Sequence, residues 1–245
     1  MEAVNKVKLF SRTLRLLRNK DFILHIGSEY LCLKFPRPLQ VLSSSFFGGG
    51  EWMADTIINR HVSKNYHKSD PALETEEWLT RCGYNPETTV AMMTAAKVEK
   101  AVIAEERSEE GGVAAIVTAG VSNAARAGID GPVYRMDSDP GTINMILLID
   151  GQVTSGSMVN AVITAVEAKV AALQDLGVTD AMGNQATGTT TDAVVIAATQ
   201  EAKGGFLHTY AGTASPLGRL VGLTVYRALT GALRQSGSLK GETWP

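Results

Sequence analysis

The sequence predicts an α+β fold, a largely antiparallel or mixed β-sheet packed with helices in a single compact domain spanning residues 1–245. Three observations carry that expectation. Alternating apolar patterns open the chain, and a hairpin signal sits near its middle. Long apolar helical stretches enter only late, and the order of elements is mixed instead of a regular βαβ alternation. No internal repeat, low-complexity region or long linker divides the chain, and 245 residues bury a substantial core without a disulfide or metal staple.

Residues 7–35 alternate in the strand manner, VKLFSRTLRLL and then DFILHIGSEYLCLKF, with a turn at Gly27-Ser28. Arg12, Arg15 and Arg18 are spaced by three and offer a basic helix face as the alternative; the alternation favours strands. PLQVLSSSFFGGG is a short strand emptying into serines and glycines, either a plain polar turn or a ligand loop. EWMADTIINRH, residues 51–61, has helical spacing: Met53 and Ile57 share a side, and Asp55 and Asn59 stand one above the other at i, i+4. Residues 73–82 and 86–97 read as two short helices, the second opened by Pro86 after an Asn85 N-cap.

KAVIAEERSEEGGVAAIVTAG, residues 100–120, has two apolar runs joined by an acidic, glycine-containing turn and predicts a hairpin. VSNAARAG then places Ser122, Asn123 and Arg126 at a strand end followed by a helical turn. GTINMILLID is a buried strand in which Asn144 must find partners, because an unsatisfied buried amide costs about 1–3 kcal/mol. SGSMVNAVITAVEAKVAALQDLG is the clearest helix. Val159, Val162, Ile163, Val166, Val170 and Leu173 form one stripe, Ala161, Ala165, Ala168 and Ala172 cover the opposite side, and Asn160, Thr164 and Glu167 line up between them. Glu167 is there either a partly desolvated carboxylate or one half of a surface ion pair. NQATGTTTDAVVIA delivers Asp192, flanked by Thr187, Gly188, Thr189, Thr190 and Thr191, to the start of a β-branched strand. Asp192 either caps local amides or belongs to a polar site on a rigid strand. His208, Tyr210 and Thr213 follow in a glycine-punctuated loop, a final helix over about 216–234 closes the core, and the tail GSLKGETWP is polar and frayed.

Charge is balanced, 23 basic against 25 acidic side chains, which removes the electrostatic case for nucleic acid. Cys32 and Cys82 form no metal-ligand pattern and fit a reducing cytoplasm. The N-terminus lacks the apolar core of a signal peptide, and no run approaches the roughly 18 apolar residues a membrane helix needs, so no membrane insertion is expected. His61 and His67 are six apart, which is not strong metal spacing. No phosphate loop, nucleophile elbow, zinc helix or dinucleotide fingerprint is present. What remains is a set of strand-end loops bringing Ser43 to Ser45, Asn123, Asn144 and Thr187 to Asp192. Amide hydrolysis needs a nucleophile, a proton-transfer group and donors for an oxyanion, and this inventory holds candidates for each.

VTAGVSNAARAG, GTINMILLID, MVNAVITAVEAKVAALQDLGV, ATGTTTDAVVIA and YAGTASPLGRLVGLTVYRAL, in that order, closely resemble the adenosylcobinamide amidohydrolase family. SSSFFGGG and DTIINRHVSKNY resemble it too, so the likeness covers about residues 40–235 and is weaker over the first forty. The resemblance implies cleavage of the amide joining the aminopropanol arm to the corrin side chain of adenosylcobinamide, giving adenosylcobyric acid and aminopropanol for coenzyme B12 assembly. It implies that no separate cofactor is required, because the corrinoid is the substrate. No DxHxxG pattern is present, so none of His25, His61, His67 and His208 is proposed as a required cobalt ligand.

On this basis Asp192 or Glu167 is the candidate general base for a water or a Ser/Thr hydroxyl, with Ser44 and Ser45 as alternative nucleophiles. Asn59, Asn123, Asn144, Asn160, Thr187, Thr189, Tyr210 and Thr213 are the candidate substrate contacts. A non-catalytic corrinoid-binding protein and an amidohydrolase acting on another amide are the competing readings. Homo-oligomerisation is left open.

Overall fold

A computed structural model describes residues 10–17, 20–130 and 141–237, with side chains from residue 23 onward. The side chains of Arg12 and Arg15, the whole of Arg18 and the tail after Gly237 lie outside the described residues. Strands β1 (Phe10–Leu17), β2 (Lys20–Ile26), β3 (Tyr30–Ser43) and β4 (Gly50–His61) open the chain as an antiparallel meander. The turn predicted at Gly27-Ser28 is closed by Gly27 N donating to the Tyr30 carbonyl at 2.9 Å. Pro36 and Pro38, which lack N–H groups, fall in the register break of β3 between Lys34 and Leu39.

Helix α1 (Pro71–Arg81) follows, N-capped by Asp70. After it come a single 3-10 turn at Pro86–Thr88, β5 (Thr89–Thr94), the hairpin β6 (Val102–Arg107) and β7 (Gly112–Ala119), and the two-residue β8 (Ala124–Ala125). Then β9 (Ile143–Asp150), β10 (Gln152–Val153), α2 (Ser155–Asp175), β11 (Gly188–Thr189), β12 (Ala193–Ala198), β13 (Leu207–His208) and α3 (Pro216–Ser236) complete the fold. Strands β1 to β7, β9 and β12 form one nine-stranded mixed sheet, antiparallel except for the β4–β5 and β9–β12 pairs.

The sheet folds over itself along the long β3–β4 hairpin. Successive strand side chains alternate faces, so Leu31, Leu33, Ile57, Val90 and Met92 of one half meet Ile116, Ile146, Leu148, Val195 and Ala197 of the other. Outside the first half, Trp78 and Leu79 of α1 cover Cys32, Ile58 and Ala91. Outside the second, α2 and α3 cover the remaining faces of β7, β9 and β12. Beside α1, Arg60 makes a two-pronged ion pair with Glu74 at 2.8 and 3.0 Å and lies over the Trp78 ring. Those guanidinium hydrogen bonds hold the Glu74 carboxyl below its usual range.

Five expectations need correction. Residues 51–61 form β4, not a helix: Thr56, Ile57 and Ile58 are β-branched, and the segment is hydrogen-bonded between β3 and β5. Residues 86–97 hold the Asn85 cap and one 3-10 turn, then a strand, because the Thr88-Thr89-Val90 run favours extended backbone. VSNAARAG turns into β8, paired with β11, without a helical turn. On α2 the alanine side faces the core, while Val159 and Ile163 are each 51% exposed. By length and hydropathy α2 is apolar enough to cross a membrane, contrary to the expectation that no stretch approaches one, yet its Ala161, Ala165, Ala172 and Leu173 pack in the core.

Candidate active site

The polar residues converge where the parallel strands β9 and β12 both begin. Ala193 lies beside Asn144, and Thr118 of β7 lies beside Asn144 on the other side. Asn144 faces the interior between the sheet halves, and its Nδ2 donates to Asn59 Oδ1 and to the Met93 carbonyl, each at 2.9 Å. A backbone carbonyl only accepts, so this contact fixes the amide's orientation and leaves Oδ1 as its free end. Asn59 Nδ2 in turn donates to Thr118 Oγ1 at 2.8 Å. Asn59, Thr118 and Asn144 are all at most 2% exposed. Asn144 Oδ1 is nonetheless buried without a protein partner, and so is Asn123 Oδ1 at the same end of the sheet. Two orphan acceptors in one region are costly and are the feature expected where a ligand supplies the missing donors.

Thr142, one residue before β9, is 5% exposed. Its Oγ1 lies 2.7 Å from Thr191 Oγ1, and Thr191 Oγ1 also lies 2.8 Å from the Gly141 carbonyl oxygen. The carbonyl must accept, so Thr191 donates to Gly141 and accepts from Thr142. Asn123 Nδ2 donates to Thr190 Oγ1 at 2.6 Å, and Thr187 Oγ1 accepts from Ala127 N at 2.9 Å. A Cβ on Gly141 would overlap Asn123 Oδ1 and stand 2.9 Å from the Gly120 carbonyl and Ser122 Oγ, so only glycine fits this approach.

Asp192 lies on the other face of the sheet, toward the helices. Its carboxylate accepts from Ile143 N and Thr189 N at 3.1 Å each, from the Thr189 hydroxyl, and from Lys169 Nζ at 2.5 Å. Each oxygen thus takes two hydrogen bonds, which occupies its lone pairs. Lys169 and Asp192 side chains are only 9% and 12% exposed. The close approach offered by Gly188 serves this pair: a Cβ there would stand 2.7 Å from Lys169 Nζ.

The other predicted residues scatter. Glu167 is on the exposed side of α2, about 200° around the helix from Lys169. Ser44 Oγ accepts from Val194 N at 2.9 Å, and Ser45 Oγ lies 2.5 Å from Ser43 Oγ and donates to the Phe47 carbonyl. These serines border β12 on its far side from β9, roughly 10 Å or two strand spacings from Asn144. Asn160 lies in the first half of α2, and Tyr210 and Thr213 are exposed in the loop before α3, where the Ala211 carbonyl accepts from Thr164 Oγ1. A cavity of about 520 Å³ lined by Arg37, Gln40, Glu51, Trp52 and Gln200 also lies at that end, where β12 finishes. Sequence reasoning missed Thr118, Thr142 and Lys169. Thr142 carried a readable signal, a hydroxyl opening the same apolar strand as Asn144, whereas Lys169 was hidden in a helix read only by its apolar and uncharged stripes.

Fold and site together define an α+β protein with a buried polar cluster of side-chain amides and hydroxyls at the end of the sheet where β9 and β12 begin. Among the described residues, no three of His, Cys, Asp or Glu lie close enough to hold a metal ion. The sequence profile of adenosylcobinamide amidohydrolase matches residues 16–241, and the chain belongs to that family. A Methanosarcina mazei protein named adenosylcobinamide amidohydrolase is 28% identical over 71% of this chain and 75% of its own. The Methanocaldococcus jannaschii protein MJ1613 is 31% identical over 66% of this chain and 69% of its own. The crystal structure of the PH0078 protein from Pyrococcus horikoshii aligns with 94% of this chain and 84% of its own at 13% identity, with a TM-score of 0.45, too loose a likeness to carry an argument.

Proposed function

We propose that this protein hydrolyses the amide joining the aminopropanol arm to the corrin side chain of adenosylcobinamide, releasing adenosylcobyric acid and aminopropanol. Family membership supports the reaction class. The observation that carries the location is the pair of buried amide oxygens, Asn123 Oδ1 and Asn144 Oδ1, left without partners at the same end of the sheet as the Thr142–Thr191 hydroxyl pair. A substrate amide N–H, or the protonated amine that leaves it, supplies the donors these oxygens lack. The corrinoid enters as substrate and no separate cofactor is required of the chain.

In this reading Asp192 is a positioning residue. Its four hydrogen bonds tie the 188–192 turn to the start of β9 and to α2, and leave it no free lone pair for a substrate proton. Nucleophilic attack then falls to water or to a hydroxyl on the opposite face. The free cysteines, Cys32 buried and Cys82 exposed, agree with action in a reducing cytoplasm.

The test is incubation with adenosylcobinamide followed by mass analysis. Adenosylcobyric acid with equimolar aminopropanol is the expected result. Tight binding without release of aminopropanol would instead make the chain a corrinoid-binding protein, and hydrolysis only of other amides would reassign the substrate.

A further inference from the structure

We propose that the chain cuts its own Gly141–Thr142 peptide bond and that the freed Thr142 is the nucleophile of the site. Three features of the intact chain point to this bond. Thr142 Oγ1 donates to Thr191 Oγ1, and Thr191 Oγ1 donates to the carbonyl oxygen of Gly141, the residue whose carbonyl carbon Thr142 would attack. One side chain therefore connects nucleophile to electrophile in a two-hydrogen-bond relay. The backbone on either side of the Thr142 side chain is also pinned: Gly120 N donates to the Thr142 carbonyl at 3.1 Å, and Ile143 N to Asp192 Oδ1 at 3.1 Å. Finally, the glycine-only fit of Gly141 presses its backbone against Asn123, whose Oδ1 has no donor in the uncut chain.

The step balances as an N-to-O acyl shift followed by hydrolysis. Thr142 Oγ1 bonds to the Gly141 carbonyl carbon through a five-membered ring. Its proton passes to Thr191 as the Thr191 proton passes to the carbonyl oxygen. Collapse of the ring breaks the C–N bond, the nitrogen takes a proton, and an ester joins Gly141 to Thr142 Oγ1. One water then cleaves the ester, restoring the Thr142 hydroxyl and leaving a carboxylate on Gly141 and an α-amine on Thr142. An N-terminal threonine carries its own base, because the α-amine takes the hydroxyl proton during attack. Asn144, two residues on and on the same face of β9, offers its orphan Oδ1 to the ammonium so formed.

The second half of this proposal rests on the amidohydrolase reading; self-cleavage does not. Intact mass measured under denaturing conditions on the freshly purified and the incubated full-length protein decides it. Expected are two fragments, one ending at Gly141 and one whose N-terminal sequence starts Thr142-Ile143-Asn144. Thr142→Ala should stay whole at the 26.1 kDa of the intact chain, Thr142→Ser should still cut, and Thr191→Val should cut about tenfold more slowly or worse through loss of the relay. A wild-type chain that stays whole while circular dichroism shows it folded would overturn the proposal. So would equal cutting at this bond in Thr142→Ala, which assigns the cut to a contaminating protease. If Thr142→Ala does not fold, the Thr191→Val rate decides alone, an unchanged rate counting against self-cleavage. Aminopropanol release is read separately on the same samples: turnover by an uncut chain removes only the self-cleavage, and cutting without turnover removes only the proposed substrate.

Discussion

The two ends of the β9–β12 pair differ in kind. Where these strands finish there is a cavity of about 520 Å³ whose polar groups satisfy one another. Gln40 Nε2 donates to Glu51 at 2.7 Å, Gln200 Nε2 donates to Gln40 at 2.5 Å, and Arg37 pairs with Glu201 at 2.6 Å. Where the strands begin there are two orphan amide oxygens, a hydroxyl relay and a nearly buried ion pair. Space alone does not mark a reaction centre. Partnerless buried side-chain atoms also occur at Thr75, Ser157 and Thr230, each costing about 1–3 kcal/mol unless something binds it, and what sets the starting end apart is two such amide oxygens together with a hydroxyl relay.

That contrast breaks or sharpens under substitution. The largest effect is expected at Thr142. Thr142→Ala should lower the rate of aminopropanol release by at least about a thousandfold, as loss of an attacking group does, with little change in melting temperature. Next comes Asp192→Ala, which strands the Lys169 charge in a nearly buried site and should destabilise the fold by about 3–5 kcal/mol in chemical denaturation. An Asp192→Asn, Lys169→Met double variant should recover part of that loss, as expected of a positioning pair. Asn144→Ala should reduce kcat/KM about tenfold to a hundredfold, the worth of one hydrogen bond to a charged group, ~1.5–3 kcal/mol.

Away from both ends, Glu74→Gln should cost about 1.5 kcal/mol of stability without touching turnover. The Glu74 carboxyl is held low by Arg60, so its contribution is present above the unfolded pKa of about 4.3 and is lost as pH falls through the lower folded value. Melting curves of the two proteins should therefore differ at neutral pH and converge in acid. The smallest effect is expected at the cavity, where Gln200→Ala should leave turnover within about twofold of the parent.

The predicted α+β class, the hairpin over 100–120 and both long helices were legible because each rests on a pattern repeated several times along its own segment. β4 was not, because Met53, Ile57 and Ile58 satisfy helical spacing as well as strand pairing, and its partners β3 and β5 decide the matter from elsewhere in the chain. Asp192 was legible as an unusual carboxylate at a strand start, but its saturation was not, since Lys169 reaches it from 23 residues away. Asn59 was picked from a segment read as a helix and still reaches Asn144, because the pairing of β4 between β3 and β5 buries its side chain between the sheet halves. Glu167 looked like an alternative general base to Asp192 only while the rotation of α2 against the sheet was unknown.

The most direct measurement is the rate of aminopropanol release from adenosylcobinamide by Thr142→Ala and by Gln200→Ala, each verified as folded and compared with the parent. Loss at Thr142 with near-parental turnover at Gln200 is the result predicted here. Near-parental turnover at Thr142 with loss at Gln200 would move the reaction to the other end of the strands and contradict the account.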